Sequence, residues 1–386
     1  MPARESTRNR SEKHYNDMID TSLPLSYLKV LDLSRVLAGP LCTMMLGDLG
    51  ANVIKVERPG VGDDTRHWGP PFDDRGESAY FLSTNRNKRS LTADLDVAAD
   101  RELLETLVAE ADVVVENFLP GTLERRGLDA AAMLSQNRRL IWCSIGGYLN
   151  DLQRPGYDFA VQAESGWMSI TGAPDGVPLR TAVALVDVLT GKDAAISILA
   201  ALIGRREAPA ASRHLTVTLS GSASAALVNV AQNALVSGRD AARWGNSHAN
   251  LVPYQVFQTA DRPLVITVGN DAQWRALCSV VADPSALSAA AWASNAGRVT
   301  HRGDCVAALQ TQLLASGADV WHSRLQAVGV PVGRIRSVLE ALNETAASPL
   351  TGVPSSVGGN VRRPPPQLGE HSVGIRANGW EEKTER

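Results

Sequence analysis

An apolar run at residues 28–33, a helix-period segment at 41–49 and a second apolar run at 51–57 follow one another directly, with Gly39-Pro40 before the helix and Gly50 ending it. A strand, a helix and a strand in this order pair in parallel, because the helix is the crossover that returns the chain to the same sheet edge. The pattern then repeats. Leu103, Leu104, Leu107 and Val108 give a helix over 100–110 one apolar face, and residues 112–116 read as the next strand. A helix ending at 133–137 leads to a strand at 140–144. Residues 182–188 read as a strand end feeding a long helix from about 190 to 206, and a strand follows at 215–219. The predicted class is α/β, with a Rossmann-like parallel sheet covered by helices.

From about Gly245 the texture changes. Residues 253–257 and 263–268 read as an antiparallel pair turning at Ala260-Asp261, followed by helices around Trp274 and Gln310. The expected organisation is a polar extension over 1–24, a large α/β domain over 25–235, a smaller α+β domain over 245–335 and a C-terminal segment over 340–386. The run Arg362-Arg363-Pro364-Pro365-Pro366 predicts a tail extended along a surface. The first residues mix Arg4, Arg8, Arg10 and Lys13 with Glu5, Glu12, Asp17 and Asp20, which suits neither a secretory signal nor an acid-poor transit peptide.

A net charge of -3 gives no basic surplus for nucleic acid or an anionic membrane, and the apolar helical run 194–203 is too short to span a bilayer. The four cysteines, Cys42, Cys143, Cys278 and Cys305, include no C-x-x-C pair, so neither a zinc cage nor a disulfide framework is expected. Their thiols suit a reducing, cytoplasmic setting. Gly60-Val61-Gly62 lacks the third glycine of a dinucleotide fingerprint, and Gly191-Lys192-Asp193 lacks the rest of a phosphate loop. No H-E-x-x-H or G-x-S-x-G motif occurs.

What remains are carboxylates in apolar settings. Asp187 stands among Leu185, Val186, Val188 and Leu189. It reads either as a helix cap or as a nucleophile, whose pKa the helix dipole would lower and burial would raise. Asp158, in Pro155-Gly156-Tyr157-Asp158, reads as a loop residue making a turn bond or as a second functional acid. Arg58 follows a strand and precedes Pro59-Gly60. There it is either a solvated charge or a phosphate ligand, since ligands gather at the carboxyl ends of parallel strands.

Taken in order, these pieces resemble family III CoA-transferases, the formyl-CoA and carnitine CoA-transferase group. The likeness runs through Ala38-Gly39-Pro40, Asp48-Leu49-Gly50-Ala51-Asn52, Gly62-Asp63-Asp64-Thr65-Arg66, Asn87-Lys88-Arg89-Ser90-Leu91 and Glu116-Asn117-Phe118. It continues through Gly156-Tyr157-Asp158, Gln162-Ala163-Glu164-Ser165-Gly166, Gly245-Asn246-Ser247-His248 and Leu368-Gly369-Glu370-His371. The resemblance implies that Asp187 is the nucleophile and that Asp158 stands beside the reacting thioester. It implies that Val36, Ala38, Arg58, Ala93, Asp94, Leu95, Asn117, Phe118 and Arg125 hold coenzyme A. It also implies a mobile loop at Gly245, Asn246, Ser247 and His248, with a single glycine here, and an interlocked homodimer whose large domain uses both chain ends.

The activity so implied transfers coenzyme A from an acyl-CoA to a free carboxylic acid, through an aspartyl anhydride and an aspartyl-CoA thioester. It needs no metal and no permanently bound cofactor; acyl-CoA is a substrate. The alternatives are an α-methylacyl-CoA racemase-like isomerase and a non-catalytic CoA-binding homologue. A racemase of this group pairs a His with an Asp, and residues 128–136 contain no His.

Overall fold

A computed structural model describes residues 23–204, 208–344 and 352–382. Residues 1–22 of the polar extension and the end of the helix expected to reach Arg206 lie outside the described residues. The described residues form two compact units. One contains the residues up to Trp167, Arg180–Arg239 and the C-terminal segment; the other contains Met168–Leu179 and the residues from Asp240 to 344.

The first unit is built on six parallel strands: β1 (Lys29–Asp32), β2 (Asn52–Glu57), β3 (Lys88–Thr92), β4 (Val113–Glu116), β5 (Ile141–Gly146) and β6 (His214–Thr218). Their spatial order is β3-β2-β1-β4-β5-β6, a doubly wound sheet. The helices that position the site are α1 (Ala38–Asp48), α2 (Ala98–Glu110), α3 (Ala130–Gln136), α4 (Asp158–Glu164), α5 (Leu185–Gly204) and α6 (Val228–Ser237). Successive strand residues point to opposite faces. Val30, Val53, Val113 and Ile145 therefore pack with Leu46 of α1 and Ile198 of α5, whereas Leu31, Ile54, Val114 and Trp142 pack with Leu104 and Leu107 of α2.

The sequence misses β3, whose Lys88, Arg89 and Ser90 are polar yet buried. It also places a strand end before the long helix, where residues 180–184 are irregular and α5 begins at Leu185. The tail is a further correction. After its proline-rich stretch it forms a helix, Ser372–Asn378, and Ile375 and Trp380 are buried against α2. The Trp380 indole donates to the Leu107 carbonyl at 3.0 Å.

In the second unit β7 (Tyr254–Phe257) and β8 (Leu264–Thr267) are antiparallel, as the sequence predicts, and β9 (Val332–Arg334) adds a third strand. Helices Asp271–Cys278, Arg302–Leu313 and Ala318–Ala327 cover this sheet, with Trp274, Leu309 and Trp321 in its core. Among the described residues, no helix is long and apolar enough to cross a membrane.

Candidate active site

The strand order reverses between β1 and β4, so the loops leaving these strands part and open a crevice at their carboxyl ends. Asn117 clamps the two sides: its side-chain oxygen accepts from the Arg35 N–H at 3.0 Å, and its amide donates to the Arg35 carbonyl at 2.8 Å. Two cavities meet here. One, of about 420 Å³, is lined by Arg58, Ala93, Asp94, Leu95, Phe118 and Arg126. The other, of about 370 Å³, is lined by Val36, Ala38, Asn117, Phe118, Tyr157 and Asp187. Arg35, Asp64, Phe118 and Thr122 border both.

A layer of buried charge supports this crevice. Asp32, at the end of β1, accepts from Lys88 Nζ at 2.9 Å and from the Thr43 hydroxyl at 2.7 Å. Burial alone would raise its pKa, but Lys88 and Lys55 pull it down to about 2. Lys55 Nζ donates to the Ser34 carbonyl and pairs with Asp63, each at 2.9 Å. Asp63 in turn accepts from the Val36 N–H at 3.2 Å. Val36 has φ of 72°, a left-handed conformation that a β-branched residue keeps only where its surroundings hold it. The buried pairs thus fix the backbone that lines the Asp187 cavity. Sequence reasoning missed Lys55, Asp63 and Lys88; for the two lysines the available signal was a charge inside β2 and β3, whereas Asp63 stands in the loop before the turn Asp64–His67, where an acid is unremarkable.

Asp158 and Asp187 differ in surroundings. Asp158 is buried and opens α4, rather than lying in a loop. Its Oδ2 accepts from the backbone N–H groups of Val186 and Asp187 at 2.8 and 3.2 Å, and its Oδ1 accepts from Gln162 Nε2 at 2.6 Å. It therefore caps the start of α5. The capping role open to Asp187 in the sequence belongs to Asp158. Asp187 sits in the first turn of α5, and no described residue donates a hydrogen bond to its carboxylate. Burial, and then the neighbouring Asp158 charge, push its pKa up to about 7. These effects outweigh the helix dipole. One turn later, Gly191 lets α5 approach α1: a Cβ there would lie 2.6 Å from the Ala38 carbonyl oxygen.

Arg125 lines neither cavity and lies 3.4 Å from the Thr122 hydroxyl. Its neighbour Arg126 lines the larger cavity and pairs with Asp96 at 2.9 Å. Both stand in one short turn, where spacing does not tell which of two adjacent arginines faces inward. Gly245, Asn246, Ser247 and His248 belong to the second unit. There Gly245 has φ of 57°, and the Ser247 hydroxyl lies 3.2 Å from the Gln255 side-chain oxygen.

The family model described as CoA-transferase family III matches residues 25–372. Succinyl-CoA:glutarate CoA-transferase of Mus musculus is 39% identical over 375 residues, covering 92% of this chain and 86% of that protein. Succinate–glutarate CoA-transferase of Agrobacterium fabrum is 38% identical over 388 residues, covering 94% and 97%. Among solved structures, a CAIB/BAIF family protein from Brucella suis superposes with a TM-score of 0.81 at 38% identity, covering 92% of this chain and 98% of that one.

Proposed function

The chain belongs to CoA-transferase family III, and on that premise we propose that it moves coenzyme A between dicarboxylic acids through covalent intermediates on Asp187. The observation that carries this reading is the contrast between its two acids. Asp187 lines a cavity that shares a border with the larger one, while both oxygens of Asp158 are already taken, Oδ2 by the N–H groups that it caps at the start of α5 and Oδ1 by Gln162. The dicarboxylic class rests on the relatives, which are named for succinate and glutarate.

The Asp187 carboxylate attacks the thioester carbonyl and expels CoA thiolate, leaving a mixed anhydride. The thiolate then attacks the Asp187 acyl carbon, forming an aspartyl-CoA thioester and releasing the first acid as its carboxylate. The acceptor carboxylate attacks that thioester, giving a new anhydride and thiolate. Attack of the thiolate on the acceptor's acyl carbon yields the new acyl-CoA and restores Asp187. A carboxylate with a raised pKa is more basic, and so a better nucleophile once ionised, than an ordinary surface aspartate. In this reading Arg58 meets the nucleotide phosphates, and Val36, Ala38, Asn117 and Phe118 border the path of the thioester arm. We further infer that the working form is a homodimer.

Incubation with succinyl-CoA followed by borohydride tests the mechanism. The aspartyl-CoA thioester is expected to be reduced to an alcohol on the peptide containing Asp187, with a mass change located by sequencing. Asp187→Asn is expected to bind CoA without forming the adduct, and Asp158→Asn to turn over slowly while still forming it. A label on Asp158, or wild-type transfer by Asp187→Asn, refutes the mechanism and favours the racemase-like alternative.

A further inference from the structure

Gln162 has no part in the chemistry above, yet it is fully buried beside it. Its Nε2 donates to Asp158 Oδ1 at 2.6 Å, and its Oε1 accepts from the Thr181 N–H at 3.0 Å. A carboxylate on one side and a backbone N–H on the other permit only this orientation of the amide. The Thr181 hydroxyl donates to the Val183 carbonyl at 2.9 Å, continuing the chain of bonds toward the start of α5 at Leu185. Gln162 and Asp158 are one turn apart on α4. One buried amide therefore ties α4 to the segment that delivers Asp187.

We propose that Gln162 is a positioning residue for Asp187: by donating to Asp158 and holding Thr181, it fixes Asp158 as a carboxylate acceptor, sets where α5 begins and so aims the nucleophile. All three groups bonded to Asp158 are donors. A neighbour that offers only hydrogens keeps both carboxylate oxygens as acceptors, and the negative charge stays beside Asp187. The other charged or titratable groups facing Asp187 are few. Tyr80, from the short helix Ala79–Leu82, is raised to about 12 by burial and then by the charges of Asp187, Asp158 and Asp63. Arg35, Asp64 and Tyr157 line the same cavity. None of them bonds to Asp158, so its orientation depends on Gln162 and the two backbone N–H groups.

This inference rests on the reading of Asp187 as nucleophile, and the test separates the two. Gln162→Leu removes both bonds; Gln162→Glu keeps the shape but turns the donor toward Asp158 into an acceptor unless it is protonated. In both variants kcat is expected to fall on the order of 100-fold, as displaced reacting groups do, with KM for the CoA thioester nearly unchanged. The acid limb of kcat/KM is expected to move by about one pH unit, because the charge beside Asp187 changes. The deficit of Gln162→Glu relative to the wild type at the same pH should shrink toward acid pH, where a protonated side chain donates as the amide does; a packing role alone leaves that ratio flat. Circular dichroism and CoA calorimetry establish that the variants fold, and Gln162→Glu carries the test if Gln162→Leu does not. Wild-type rates of adduct formation and an unmoved acid limb in a folded variant overturn the inference while leaving the nucleophile assignment intact. Absence of any Asp187 adduct in the wild-type protein overturns both.

Discussion

The chemistry proposed for Asp187 comes from a position that costs stability, and this yields a prediction with a definite sign. Its carboxyl is raised from 3.8 to about 7, so between those values the folded chain keeps a proton that the unfolded chain has lost. The stability held by that proton is fully present at low pH, declines as pH rises through the window and is gone above it. Asp187→Asn should therefore match the wild type in stability near about pH 4 and exceed it by about 1–3 kcal/mol near about pH 8, read as urea midpoints at the two pH values. Equal midpoints at both would show that the site stores no such strain. The same ionisation should govern turnover: kcat/KM is expected to rise with pH along a limb centred near 7, as Asp187 becomes the carboxylate. At the other end of the crevice, exposed Arg58 lines the larger cavity with Arg35 and Arg126. Arg58→Ala is expected to weaken CoA binding by about 1–3 kcal/mol, the range for a charged hydrogen-bond partner, and calorimetry showing unchanged affinity would exclude a direct contact.

At the scale of elements, the place of Asp187 is set by how closely α5 can lie on α1. Gly191 stands one turn beyond Asp187, and any side chain there meets the Ala38 carbonyl oxygen and Leu41. Because a backbone atom cannot swing aside as a flexible side chain does, Gly191→Ala must push the helices apart. The expected loss is about 1–3 kcal/mol, typical of overpacking, seen as a lower melting temperature together with a fall in kcat. A stable variant with wild-type kcat would show that the contact does not position Asp187. The sequence showed β1, β2, β4 and β5 because Val30, Ile54, Val114 and Trp142 belong to short apolar runs of the kind a parallel sheet buries on both faces, and it showed the edge strand β6 by the alternation of Leu215 and Val217 with exposed His214 and Thr216. It hid β3 because Lys88, Arg89 and Ser90 bury polar groups whose partners, Asp32, Asn52 and Glu57, are distant in the chain. It misread the entry to α5 for the same reason. The cap of that helix is Asp158, far upstream, and helix-start signals are read only from adjacent residues. Gln162 belongs to a legible motif, but the positioning role proposed for it depends on Thr181, which no spacing rule connects to it.

For the whole molecule, apolar surface left uncovered on the first unit bears on assembly. Ile196 and Ile203 of α5 are exposed, and in α6 Val228, Leu235 and Val236 are each more than two-thirds exposed although the helix has no buried residue. A helix with apolar residues and no buried face is unusual in a chain that ends its folding as a monomer, because hydrophobic patches of this kind mark contact surfaces. α6 also packs little on its own unit, so most of the stabilisation an amphipathic helix gains from tertiary contact must come from elsewhere. These features favour a second copy of the chain as the covering surface, as the homodimer inference requires. Light scattering is expected to give the mass of two chains at micromolar concentration, with no folded monomer on dilution. Replacing exposed apolar residues with charge, in the double variant Ile203→Asp and Leu235→Asp, is expected to lower the melting temperature and to give monomeric or aggregated chains. In a monomer those positions stay in water, where such changes usually fall within about 0.5 kcal/mol. A wild-type chain that scatters as a stable, folded monomer, with a double variant of unaltered melting temperature, rules the dimer out.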